Sequence, residues 1–154
     1  MIDESCSVEN AYEPPVSASI FVGGLVGHCQ GEEASCSVES VVNMGNVTFS
    51  GAMSKDNGPY VGGIVGYLGS SDEHVSSVKN CANYGPVTHS KISHDGYIEG
   101  IMGKGLGTTS QFVFIQNCLN YGSVTYMYTM ETSYIGGIAG EIGYVSIENC
   151  VSGG

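Results

Sequence analysis

Residues 60–66 read Tyr-Val-Gly-Gly-Ile-Val-Gly, and three other stretches repeat the pattern. Residues 21–27 read Phe-Val-Gly-Gly-Leu-Val-Gly, 97–103 read Tyr-Ile-Glu-Gly-Ile-Met-Gly, and 134–140 read Tyr-Ile-Gly-Gly-Ile-Ala-Gly. The four begin at positions 21, 60, 97 and 134, in steps of 39, 37 and 37 residues. A near-constant period in this range marks an architecture of stacked repeats.

A second motif alternates with the first. Residues 77–88 read Ser-Val-Lys-Asn-Cys-Ala-Asn-Tyr-Gly-Pro-Val-Thr. They recur as Ile-Gln-Asn-Cys-Leu-Asn-Tyr-Gly-Ser-Val-Thr at 115–125, and more loosely at 37–48. Residues 7–11, Ser-Val-Glu-Asn-Ala, read as a degenerate first copy, and Ile-Glu-Asn-Cys at 147–150 as a truncated last one. This puts Val8, Val38, Val78, Ile115 and Ile147 at one repeat position. The spacing varies only in the segments between motifs, which is how a solenoid accepts insertions.

Helix is excluded by the absence of an i, i+3, i+4, i+7 apolar pattern and by glycine in every window. Short runs rich in Val, Ile, Tyr and Thr, bounded by Gly, Asn and Ser, predict strands. Three are expected per repeat, around 60–67, 77–81 and 87–90. The fold class is therefore all-β: a parallel, right-handed β-solenoid (β-helix) of about four irregular coils, with like strands stacked ~4.8 Å apart. Residues 1–154 form a single domain, expected to be a segment of a longer chain because the last repeat is truncated.

Stacking gives each repeated residue a neighbour of its own kind. Cys81, Cys118 and Cys150 form one inward ladder, with Val41 and Ala11 at the same position. The exchange of Cys for Val and Ala says that this position wants a small apolar group, which a free thiol supplies. Asn43, Asn83 and Asn120 open Asn-x-Gly turns, where Asn tolerates a left-handed backbone and stacked amides can bond along the ladder.

The Gly-Gly motif leaves two readings open. Glu99 replaces the first glycine in the third copy, and a charge there is expected to face water. In a regular strand, Phe21, Tyr60, Tyr97 and Tyr134 then form an exposed, ligand-facing aromatic row. Alternatively, the glycines make a bulge that turns Ile64 and its equivalents inward.

The Gly-Gly-Ile-Val-Gly core, followed by Asn-Cys-x-Asn-x-Gly-x-Val-Thr, resembles the GLUG-motif repeats. The matching residues are 23–27, 62–66 and 136–140, while the third copy departs at Glu99 and Met102. The resemblance spans roughly residues 8–150. It implies a β-solenoid module of a large secreted or surface-attached protein, adhesin-like ones among them. Its implied location is extracellular or at the cell surface, and it carries over no catalytic residue.

Composition sets further limits. Fifteen acids stand against four lysines, with no arginine, for a net charge of −11. Nucleic acid is held by neutralising phosphates with Lys and Arg, so it is not an expected partner. No apolar run reaches ~20 residues, so no membrane insertion by this segment is expected.

Candidate chemistry is sparse. There is no Cys-x-x-Cys pair, and neither His28, Cys29 and Cys36 nor His89 and His94 make a convincing ligand set, so these read as loop residues. No metal and no cofactor are expected. Cys6 and Cys36 share the context Ser-Cys-Ser-Val-Glu, and adjacent coils would bring them within disulfide range. The acidic pairs Glu32-Glu33 and Asp72-Glu73 read as solvated loop tips rather than as paired catalytic or calcium-binding carboxylates. No nucleophile elbow, phosphate loop or zinc-protease motif is present.

The function these features point to is a non-catalytic structural or adhesive repeat module. Its expected partners are further repeats of a parent chain or other copies of itself, end to end, and a host protein or glycan. The alternatives are a carbohydrate-binding module using exposed tyrosines and a polysaccharide-active β-helix enzyme. The enzyme would need acids and bases on one face, and with so few cations its means of gripping substrate are poor.

Overall fold

The computed structural model describes residues 7–10, 19–31, 33–51, 59–90, 96–126 and 133–153. Its described residues form twenty short strands and no helix. The first coil holds β1 (Ser7–Asn10), β2 (Ile20–Gly23), β3 (Val26–Gln30), β4 (Ser37–Glu39) and β5 (Val42–Asn43). The second holds β6 (Asn46–Phe49), β7 (Pro59–Gly62), β8 (Val65–Gly69), β9 (Ser77–Lys79) and β10 (Ala82–Asn83). The third holds β11 (Val87–His89), β12 (Gly96–Glu99), β13 (Met102–Leu106), β14 (Val113–Gln116) and β15 (Leu119–Asn120). The fourth holds β16 (Val124–Tyr126), β17 (Ser133–Gly136), β18 (Ala139–Gly143), β19 (Val145–Glu148) and β20 (Val151–Ser152).

Strands five apart in this order pair in parallel and build five four-stranded sheets. In chain order these are the first sheet (β1, β6, β11, β16) through to the fifth (β5, β10, β15, β20). The protein is thus a parallel β-solenoid, and its registers are those of the repeats: Tyr60 stands on Phe21 and under Tyr97, Val78 between Val38 and Ile115.

Three expectations about the coil change. Each coil has five strands rather than three, because the Gly-Gly pair splits the 60–67 run into β7 and β8, and Ala82–Asn83 adds a short strand. The first copy of the second motif is out of place: Val8 pairs with Val47, not Val38, so β1 belongs with the Val-Thr strands. Ala11 lies outside the described residues. Cys36, expected near Cys6, is bonded to Cys29, seven residues back; Cys6 too lies outside the described residues.

The Gly-Gly break creates two apolar lobes in place of one core. Sheets one and two enclose Val47, Phe49, Val61, Val87 and Ile98. Sheets three and four enclose Leu68, Val78, Ile101, Met102 and Ile115, with Cys81 and Cys118. Ile64 and Ile101 are fully buried in this second lobe, so the glycines do turn that position inward. Each such side chain contributes about 1.5–3 kcal/mol on leaving water.

The two lobes meet at a waist held by the asparagines. Asn43 Nδ2 donates to Asn83 Oδ1 at 2.8 Å, and Asn83 Nδ2 to Asn120 Oδ1 at 2.8 Å. The same amides tie down the backbone: Asn43 Nδ2 reaches Gly63 O at 3.0 Å, and Asn83 Nδ2 reaches Gly85 O at 2.9 Å. This explains the second glycine of the pair. A Cβ at Gly63 would lie 2.5 Å from Cγ of Asn83, too close for any side chain.

The ladder expected for Asn43, Asn83 and Asn120 is present, but the left-handed role falls elsewhere. Positive φ occurs at Ser40 (58°), Asn80 (52°), Asn117 (54°) and Asn149 (52°), at the corner between sheets four and five. These asparagines form a second ladder on the surface, Asn149 Nδ2 to Asn117 Oδ1 at 3.3 Å and Asn117 Nδ2 to Asn80 Oδ1 at 3.1 Å. Ser40 is the one member with a residue less suited to that backbone. Ser40→Asn is therefore expected to stabilise the fold by about 0.5–1 kcal/mol, visible as a higher urea midpoint at unchanged slope. A lower midpoint would contradict this account of the corner.

The cysteine ladder is as expected. Cys81, Cys118 and Cys150 are free thiols, the first two buried. Cys118 Sγ donates weakly to Gln116 O at 3.3 Å. Since Val41 already stands at this position, Cys118→Val should cost less than about 1.5 kcal/mol in urea denaturation. A loss of twice that would mean that the thiol hydrogen bonds matter more than its volume.

Candidate functional site

Phe21, Tyr60, Tyr97 and Tyr134 lie on the side of sheet two that faces away from the first lobe, one per coil. Their rings stack on one another with centroids 5.4, 4.8 and 4.9 Å apart. The row is not the evenly exposed surface that a regular strand would give. Tyr60, with the rings of Phe21 and Tyr97 stacked on its two sides, is only 7% exposed, whereas Tyr134 in the fourth coil is 48% exposed.

A second row covers the first. His28, Tyr67, Lys104 and Glu141 each follow an aromatic residue of the first row by seven positions. They share one register across sheet three. The sharp turn at each Gly-Gly pair swings sheet three back so that the two rows face each other. At the early coils the slot between them is filled by rings: Tyr67 lies 5.0 Å from Phe21 and 4.7 Å from His28.

Toward the last coil the second row becomes polar. Lys104 Nζ donates to Tyr60 Oη at 3.3 Å, sits 4.6 Å from the Tyr60 ring centroid and pairs with Glu141 at 2.9 Å. The ammonium over the ring adds a cation–π contribution to the ion pair. The constant seven-residue offset could have revealed this row, but the side chains differ in every copy, so repetition alone did not flag it.

Glu99 is the main correction at this site. It was expected in water and is fully buried. The first glycine of the pair faces the inside of the slot, and Glu99 takes that place by lying across Gly136 and Gly140, where no Cβ intervenes. Neither carboxyl oxygen has a full hydrogen-bond partner. Burial pushes its pKa up to about 9, an effect the Gly136 backbone opposes only in part. Near neutral pH the side chain is therefore a protonated, neutral acid.

The described histidines lie apart from the free cysteines in the fold. Cys29 and Cys36 are spent in the disulfide, and His28 and Cys29 lie in β3 rather than in a loop. His89, also expected in a loop, is buried in β11 between Phe49 and Tyr126. Its Nδ1 has no partner, and burial lowers its pKa. His94 and Glu32 lie outside the described residues; Glu33, Asp72 and Glu73 are exposed. Among the described residues, no group of three His, Cys, Asp or Glu could hold a metal ion.

The row thus ends in the exposed ring of Tyr134, stacked on Tyr97, while the Lys104–Glu141 ion pair lies over Tyr60 in the slot. No protein-family model matches the chain, and no curated protein or solved structure is significantly similar to it.

Proposed function

We propose that this chain is a non-catalytic structural or adhesive repeat module of a secreted or cell-surface protein, as its resemblance to the GLUG-motif repeats implies. The observation behind this reading is where the repeated side chains go. The aromatic rings stack on the next ring, and the asparagine amides donate to the next amide. Chemistry repeated in every coil is consumed in lengthening the solenoid and leaves little to act on a substrate. The Cys29–Cys36 disulfide supports an oxidising, extracellular compartment, since such bonds persist there and are rare in the cytosol.

A carbohydrate-binding role is the second reading, and one observation favours it. Sugar rings stack on aromatic faces, and Tyr134 presents an exposed one at the end of the stacked row. A glycan array, paired with hydrolysis assays on neutral and acidic polysaccharides, tests both. A structural module gives neither turnover nor saturable glycan binding. Saturable binding that Tyr134→Ala abolishes would replace the structural reading, and turnover would replace both.

A further inference from the structure

The turn that leads from sheet five into sheet one carries a tyrosine in two successive coils. Tyr84 follows β10 and Tyr121 follows β15. Each donates its backbone N–H to an asparagine one coil back, Tyr84 to Asn43 O and Tyr121 to Asn83 O, both at 2.8 Å. Their rings stack with centroids 5.7 Å apart and planes 17° from parallel. Tyr84 is 48% exposed and Tyr121 49%. Tyr84 keeps this exposure with Met44 one coil back and Tyr121 one coil on, so the pair belongs to the side wall of the solenoid and not to an end. A glycine follows each tyrosine, because a Cβ at Gly85 or Gly122 would collide with the carbonyl oxygen of Gly45 or Gly85 one coil back. The rings therefore rise from a tight turn with no side chain directly after them.

We infer that Tyr84 and Tyr121 are a site of oxidative cross-linking, where a haem peroxidase with hydrogen peroxide joins the two rings as dityrosine. Three features single out this pair. Both rings stand half in solvent, where a one-electron oxidant reaches them. Among the described residues, no hydrogen bond holds either hydroxyl. And both rings can swing on their exposed side, as coupling requires, because a stacked pair must turn edge to edge before its ring carbons can bond. The slot row stacks more closely but lacks this freedom. Tyr60 is buried with its hydroxyl held by Lys104, and Tyr97 is clamped between the rings of Tyr60 and Tyr134.

The chemistry balances with one peroxide. Each phenol gives up an electron and its proton to the oxidised haem, and the two steps together take hydrogen peroxide to two waters. The two phenoxyl radicals then form a carbon–carbon bond between the ring positions next to the oxygens. The hydrogens on those two carbons move to the oxygens and restore both phenols, so the chain loses two hydrogen atoms in all. The new bond ties consecutive coils together and closes a loop one coil long, which restricts the unfolded chain as a disulfide does. The inference rests on this turn alone and stands apart from the structural or adhesive reading.

Mass spectrometry of the unchanged chain tests this directly. The dilute protein is treated with a haem peroxidase and an equimolar amount of hydrogen peroxide. The monomer should become lighter by two hydrogen atoms and gain dityrosine fluorescence, and fragmentation should place the link between Tyr84 and Tyr121. Tyr84→Phe and Tyr121→Phe keep the stacked ring and remove the phenol. Each should bring the dityrosine of the monomer to background with an unchanged strand spectrum. Tyr144→Phe removes an exposed tyrosine whose ring neighbour is Phe112, and it should leave the yield as it was. A monomer of unchanged mass, under conditions that couple free tyrosine, would overturn the inference. So would a link mapped to Tyr97 and Tyr134, or dityrosine found only between two chains.

Discussion

Glu99→Gly should raise the melting temperature, and the gain should grow with pH. The folded protein holds this carboxyl with a pKa of about 9, against an ordinary value of 4.5. The folded state therefore binds the proton more tightly than the unfolded state. Stability from this group is fully present below about pH 4.5 and falls as pH rises toward 9. Each unit inside that window costs about 1.4 kcal/mol, so the gap between pH 5 and pH 8 reaches a few kcal/mol. Glycine removes the titration and restores the residue found in the other three copies. At pH 8 the variant should melt about ten degrees above the original, and at pH 5 only slightly above it. His89 titrates with the opposite sign, losing stability as pH falls below its ordinary 6.5, but it is common to both proteins and cancels in the comparison. Glu99→Gln, which keeps the shape, should flatten the pH dependence in the same way. Melting curves that run parallel across pH 5–9 would show that Glu99 finds water or a partner in solution.

The second large effect is expected at the waist. Asn83→Ala deletes the acceptor for Asn43 Nδ2 and the donors to Gly85 O and Asn120 Oδ1, all in a fully buried site. Each polar group left without a partner costs about 1–3 kcal/mol, and the lost volume adds to that. A total loss of about 3 kcal/mol or more is expected in urea denaturation. The surface ladder supplies the control. Asn117 bonds to its neighbours in the same manner, but water stands ready to replace them. Asn117→Gly also suits the left-handed backbone at 54°, so its cost should stay below about 1 kcal/mol. Equal losses at the two positions would mean that burial is not what gives the inner ladder its weight.

The period of the Gly-Gly motif was enough to specify a stack of coils, the parallel pairing and the register of most rows. Tyr60 on Phe21, Val78 on Val38 and Cys118 under Cys150 all follow from counting, because a solenoid places like residues on like residues. The small apolar demand at Cys81 and Cys118 was legible too, since Val41 stands at the same position. Counting could not fix the direction in which each side chain points, because that depends on how sharply the chain bends within a coil. The bend at Gly62-Gly63 arises from close packing against the asparagine ladder, and it decided three things at once. It split one core into two lobes, folded a hidden second row over the aromatic one, and carried Glu99 from water into a slot roofed by Gly136 and Gly140. Register is a property of the repeat and can be read from one strand of text. Burial is a property of what lies opposite, and what lies opposite Glu99 is set by glycines about 40 residues further along the chain, where the missing Cβ atoms leave the space.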